Sequence, residues 1–156
     1  MRVFTVLKSG GVYKPEHVQW FKRMIEPHCS AEFVCLTDMK IEGVNTIPLE
    51  RNWSGWWSKI ELFRYSDVVY FDLDTVILQN VNYLLDLKGF NALRNPTSKR
   101  SMTHTMGMAS GMMVWDTPPA GVYEGFDMRL TRQYNTRKAW GDQGYIASKT
   151  RYTALQ

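Results

Sequence analysis

Two aspartates one residue apart, Asp72 and Asp74, sit within the stretch Val68-Val69-Tyr70-Phe71-Asp72-Leu73-Asp74-Thr75-Val76-Ile77. The surrounding apolar run reads as a buried strand. Side chains two apart on a strand point the same way, so both carboxylates can face one ligand from the strand's end. An unpaired carboxylate is costly to bury, and a bound divalent cation is a common remedy. Oxygen-only ligation favours Mg²⁺ or Mn²⁺ over zinc, and such ions leave part of their shell to substrate phosphates. A nucleotide diphosphate is then the natural partner, with the ion carrying the charge that builds on a departing diphosphate. The plainer alternative has one Asp capping the next turn and the other paired with a surface Lys or Arg.

Other residues bear on the same chemistry. Lys59, on a helix leading into the acidic pair, can hold the ionised carboxylates or contact phosphate; a solvated lysine is the competing reading. Trp53, Trp56 and Trp57 put three indoles within five residues. Core packing explains one or two, and the third can wall a pocket. Ser110-Gly111 lets backbone approach a ligand closely at a strand start. Gly141-Asp142-Gln143-Gly144 taken alone reads as a helix start with Asp142 as N-cap. His17, His28 and His104 are scattered without metal spacing, and no Ser/His/Asp or Cys/His set suggests itself.

The elements that must position these residues alternate in type. Residues 2–8 read as a strand broken at Ser9-Gly10-Gly11, and Pro15 opens a helix to about His28 with Val18, Trp20, Phe21, Met24 and Ile25 at helical spacing. A strand over 32–37 ends at Asp38, a weak strand covers 44–48, and a helix over 57–65 turns Ile60, Leu62 and Phe63 inward. After the carboxylate strand, Asn82 caps a short turn at 83–85, and 90–94 is a strand. A Ser-, Thr- and Met-rich loop spans 95–109, and 111–116 is a strand that Pro118-Pro119 stops. Helical segments follow near 120–134 and 142–149. This order predicts an α/β sandwich with a mostly parallel central sheet flanked by helices. Ligands of such sheets lie beyond the strands' carboxyl ends, so Lys8 to Gly11, Thr37-Asp38 and Asp72 to Asp74 should converge on one edge.

At 156 residues the chain is expected to form one domain, 1–156. Its 44% hydrophobic and 22% charged residues suit a globular protein. No apolar run nears the roughly 20 residues that span a bilayer. With no signal-peptide cleavage pattern at the start, a cytoplasmic location is expected. The net charge of +4 suits an anionic ligand. Arg129, Arg132, Arg137 and Lys138 read as a solvated helix face, and no nucleic-acid-binding module is indicated. Cys29 and Cys35 lack metal or disulfide-framework spacing and are expected to be reduced, structural thiols.

Taken together these segments resemble the nucleotide-diphospho-sugar transferases of the GT-A (Rossmann-like) fold, particularly the family 8-like bacterial and viral glycosyltransferases. The resemblance rests on Lys8 to Tyr13, Cys35 to Asp38, Gly55 to Phe63, Tyr70 to Ile77, Ser110 to Trp115 and Gly141-Asp142-Gln143, in that order. It implies transfer of a sugar from a nucleotide-diphosphate donor, a UDP-sugar by preference, to an unknown glycan, lipid or protein acceptor. Asp72 and Asp74 would be the DxD pair holding Mn²⁺ or Mg²⁺, with Asp74 the direct ligand and Asp72 shared between metal and ribose. Lys8, Gly10 and Asp38 would frame the base, Tyr13 would stack on it, and Lys59 would lie near the diphosphate. Ser110 and Gly111 would line the sugar pocket, and Asp142 and Gln143 would face the donor sugar and its reacting carbon. The family's late metal-binding His has no counterpart, since none of residues 144–156 is His; Lys149 and Arg151 are the late cations. A C-terminally short transferase is therefore expected.

Two rivals share these residues. Phe71 to Val76 also resembles the first motif of haloacid-dehalogenase-like phosphatases, which would make Asp72 a nucleophile and Asp74 a general acid beside Mg²⁺. That family places the motif on its first strand and needs a later Gly-Asp followed by another acid, whereas here Gly141-Asp142 leads into Gln143-Gly144-Tyr145. The other rival is a non-catalytic nucleotide-sugar-binding remnant.

Overall fold

The computed structural model describes residues 1–95, 107–136 and 139–155. Most of the 95–109 segment, with His104, and the pair Arg137 and Lys138 lie outside the described residues. Seven strands among the described residues form one sheet: β1 (Arg2–Leu7), β2 (Phe33–Thr37), β3 (Asn45–Pro48), β4 (Val68–Phe71), β5 (Asn91–Arg94), β6 (Met108–Trp115) and β7 (Thr153–Leu155). Their order is β3-β2-β1-β4-β6-β5-β7. The first four are mutually parallel, β6 runs antiparallel to both β4 and β5, and β7 is parallel to β5. The sheet is therefore mostly parallel, as the alternating elements predict.

Alternation along the strands separates two cores. Val3, Leu7, Val69, Phe71 and Val114 face α1 (Pro15–Ile25), which lays Val18, Phe21 and Ile25 on them. Phe4, Tyr70, Met113 and Trp115 face the opposite layer. That layer holds a 3₁₀ helix (Gly55–Arg64) and α3 (Gly141–Lys149), with the short α2 (Thr131–Tyr134) beside it. Its aromatic rings stack closely: Phe63 lies 4.6 Å from Trp115 and Trp57 5.1 Å from Phe126. Both cysteines are free and buried, and burial pushes the Cys35 thiol up to about 12, against a smaller lowering by a backbone hydrogen bond at Leu7. No helix among the described residues is long and apolar enough to cross a membrane.

Several expected boundaries move, each for a local reason. The carboxylate strand ends at Phe71 and not at Ile77, because the N–H of Thr75 donates to the carbonyl of Asp72 (3.0 Å) and turns the chain. Asp72 and Asp74 therefore occupy the turn beyond β4 and not the strand itself. The helix expected over 57–65 is a 3₁₀ helix buried continuously from Trp57 to Phe63. The fully buried Glu61 pins it to the preceding loop by accepting the N–H groups of Glu50 and Arg51, each at 2.8 Å. Helix α1 ends at Ile25, and β6 starts at Met108, inside the expected loop. The 120–134 segment becomes helical only from Met128, after Pro118, Pro119, Gly121 and Gly125 have broken the pattern. Strand β7, too short to show a period, completes the sheet edge.

Candidate functional site

The chain leaves β1 for β2 on one side, while β4 returns to pair with β1 on the other. Such a reversal opens a crevice at the carboxyl ends of the two strands. The crevice here is a cleft of about 600 Å³ lined by the β1 exit (Lys8, Gly11, Val12, Tyr13), the 3₁₀ helix (Trp56, Ser58, Lys59) and the β4 exit (Tyr70, Asp72, Leu73, Asp74). Ser110 and Gly111 of β6 and Asp142 and Gln143 of α3 close it.

Lys59 is the electrostatic centre of the cleft. Its ammonium, almost wholly buried, reaches Asp72 Oδ1 at 2.9 Å and Asp142 Oδ2 at 3.2 Å. Burial alone would lower the lysine pKa, but Asp142 and Asp72 outweigh it and hold it above its ordinary value. Ser110 Oγ donates to Asp142 Oδ2 at 2.9 Å, and the N–H of Ser110 reaches Gln143 Oε1 at 3.5 Å. The Tyr70 hydroxyl donates to Asp72 Oδ1; burial first, then the charge of Asp72, drives its pKa well above the usual phenol range. Tyr70 was not singled out from the sequence, yet it stands two residues before Asp72, on the strand face that meets Lys59.

Asp74 is exposed beyond this network. Tyr13, also in the cleft, has its pKa raised by burial, then by the charges of Asp74 and Asp72 and a hydrogen bond to Asp74. Among the described lining residues, Asp72 and Asp142 share Lys59, Asp74 stands apart, and Lys8 is bonded to Asp38. Among the described residues the cleft thus carries an excess of negative charge. Among the described residues no three His, Cys, Asp or Glu side chains form a preformed metal cage. The donor set, two carboxylates on an open turn, nonetheless suits a hard cation that takes its remaining oxygens from a ligand and water.

Of the residues expected from the sequence, Lys8, Tyr13, Lys59, Asp72, Asp74, Ser110, Gly111, Asp142 and Gln143 meet in this cleft. Gly10 and Asp38 do not line it. Gly10 shapes the loop after β1 with a left-handed backbone (φ 83°). Asp38 braces that loop, accepting Ser9 N–H at 2.8 Å, Ser9 Oγ at 2.6 Å and the Lys8 ammonium. Of the three clustered indoles, Trp57 is buried and Trp53 packs on Phe126, while Trp56 walls the cleft.

The turn into α3 is sharply bent. Trp140 and Gly141 both have left-handed backbones (φ 61° and 62°), so Asp142 falls in the first helical turn and is not the N-cap. For a tryptophan that conformation costs about 1–2 kcal/mol. The bend needs glycine at two places. A Cβ on Gly144 would stand 1.6 Å from the Ala139 carbonyl oxygen, and one on Gly141 would stand 3.3 Å from Trp56 Nε1.

The fold is an α/β architecture of the GT-A type. Over 99% of its length the chain superposes on the glycosyltransferase GlyE of Streptococcus pneumoniae TIGR4 with a TM-score of 0.69 and 15% identity. It also superposes on the galactosyltransferase LgtC, solved with donor and acceptor sugar analogues, over 98% of its length (TM-score 0.61, 15% identity). The chain spans 44% of the GlyE chain and 73% of the LgtC chain. No protein-family model and no curated protein sequence matches it.

Proposed function

We propose that this chain binds a nucleotide-diphosphate sugar, a UDP-sugar by preference, and transfers the sugar to an acceptor with the help of Mn²⁺ or Mg²⁺. The observation that carries the proposal is the charge of the cleft at the β1/β4 reversal. Three carboxylates, with Lys59 already shared between two of them and Lys8 bonded to Asp38, would repel a diphosphate unless a divalent cation stood between them. The likeness to GlyE and LgtC supports the same reading at the level of fold.

Asp72 and Asp74 would hold the ion, which when bound neutralises the diphosphate and stabilises the charge of its departure. Lys59 orients Asp72 and Asp142 and offers its cation to the phosphate side of the cleft. Tyr13 presents an aromatic wall for the base, and Lys8 and Asp38, locked together with Gly10 in the connecting loop, fix the position of that wall. Ser110 and Gly111 form the floor beneath the sugar, where the absent side chain of Gly111 leaves room beside Asp72. Asp142, oriented by Ser110 and Lys59, and Gln143 face the anomeric carbon. There an acceptor oxygen replaces the diphosphate oxygen, the diphosphate leaves with the bonding pair, and the acceptor hydroxyl passes its proton to the departing diphosphate oxygen.

Thermal denaturation with UDP, Mn²⁺ or both tests this directly. Only the combination is expected to raise Tm, by roughly 5 °C or more at a ligand concentration about 100 times Kd. Release of UDP from a panel of UDP-sugars would then identify the donor. No shift with any nucleoside diphosphate and either metal would overturn the proposal.

A further inference from the structure

A second pocket, about 850 Å³, adjoins the cleft and is lined by Trp56, Asn135, Thr136, Trp140, Gly141 and Asp142. It shares Trp56 and Asp142 with the first cleft, so whatever fills it lies beside the carboxylate that Lys59 and Ser110 orient. Its walls are unusual for solvent-facing surface. Trp56 is 58% exposed and Trp140 36% exposed, although most of the chain's large aromatic rings are packed inside. Trp140 is held there by a left-handed backbone that tryptophan rarely adopts, followed by Gly141 in the same conformation. The missing Cβ of Gly141 is what allows the Trp56 indole to pass alongside.

Two exposed indoles interleaved with an amide, a hydroxyl and a carboxylate form a chemically specific surface. Indole faces bind the apolar C–H face of a pyranose, and Asn, Thr and Asp pair with its hydroxyls. An aliphatic chain would leave Asn135, Thr136 and Asp142 without partners, which is costly on burial. Among the described residues no cation lines the pocket, and a phosphate there would meet Asp142. We propose that this pocket is the acceptor subsite and takes a sugar ring, so that the acceptor is a glycan or the glycan end of a glycoconjugate. The inference rests on the glycosyl-transfer reading for its place in the reaction, but saccharide binding can be measured without it.

Intrinsic tryptophan fluorescence of the full chain, titrated with methyl glycosides and simple disaccharides, provides the test. Saturable quenching is expected with at least one saccharide and not with octanol or a serine-rich peptide. Trp140→Ala should weaken binding at least tenfold, and Trp140→Phe should restore most of it. Trp140→Gly separates ring from fold, because it relaxes the backbone while deleting the indole. Binding should fall as in Trp140→Ala while Tm stays level or rises. Nucleotide binding without any saccharide response would overturn the subsite and leave the donor reading standing. A saccharide response without nucleotide binding would do the reverse. Quenching by octanol or the peptide alone, or saccharide binding unaffected in both Trp140→Ala and Trp140→Gly, would also overturn it.

Discussion

Two strand ends of this sheet carry a lysine–aspartate pair, and the two pairs do different work. Beyond β2, Asp38 takes the ammonium of Lys8, the N–H of Ser9 and the hydroxyl of Ser9, so its carboxylate is occupied by the loop that leaves β1. Beyond β4, one buried lysine is divided between Asp72 and Asp142, and Asp74 stands outside the network. The first pair is closed and neutral. Among the described residues, the second leaves unbalanced negative charge at the mouth of a cleft, the feature on which the proposed cation and its anionic ligand rest. The same residue types thus make a brace at one strand end and a candidate binding centre at the other. What separates them is the count of partners.

The largest effect that could break this contrast is at Lys59. Lys59→Met should destabilise the protein by about 3 kcal/mol in urea unfolding, the lower end for breaking a buried pair because Asp72 keeps a third of its exposure. A neutral result would mean that the carboxylates do not depend on this lysine. Asp74→Ala should leave stability within about 0.5 kcal/mol, since the side chain is exposed. It should weaken UDP binding in Mn²⁺ at least tenfold, about 1.4 kcal/mol, by isothermal titration. Hydrolysis of an aryl phosphate that Asp72→Asn abolishes would instead move the pair to phosphatase chemistry.

The brace predicts a smaller, pH-dependent effect. Burial would raise the Asp38 carboxyl, but hydrogen bonds from Lys8 and Ser9 outweigh it and hold the group at about 2. Its folded pKa lies below the unfolded value near 4, so its contribution is present above about pH 4 and is lost as pH falls towards 2. Solvent screening keeps this to no more than about 1 kcal/mol. The Tm–pH curves of the wild type and Asp38→Asn should converge over that window. Smallest is Gly111→Ala, whose new Cβ would lie 3.4 Å from Asp72 Oδ2. Stability should change by less than about 0.5 kcal/mol, while donor affinity falls as the floor of the cleft rises.

Much of the arrangement was legible from residue types alone. The parallel half of the sheet follows from strand–helix alternation, and the meeting of Lys8, Asp72 and Asp74 follows from the rule that such sheets bind ligands at their carboxyl ends. Lys59 was readable as a cation leading into an acidic pair, and one of three clustered indoles as a pocket wall. Asp38 was expected beside the donor because its position after β2 matches that of Asp72 after β4, and in the fold it braces the loop next to the cleft. Only the neighbouring Ser9 and Lys8 show that its carboxylate is already occupied. The turn at Thr75, the 3₁₀ form of Gly55–Arg64 and strand β7 were hidden because hydrogen-bond partners from distant segments decide them.

By itself the sequence determined the periodicities that make a mostly parallel α/β sheet and the placing of two carboxylates where a strand ends. These are local properties, written in the alternation of apolar residues and in turn chemistry. Only the tertiary structure decided that Lys59 reaches Asp142 from a segment over eighty positions away, that Tyr70 donates to Asp72, and that Trp56 and Trp140 line one pocket. Those outcomes depend on how α3 and the 3₁₀ helix settle on one face of the sheet, and burial of the shared aromatic core, not local preference, sets that geometry.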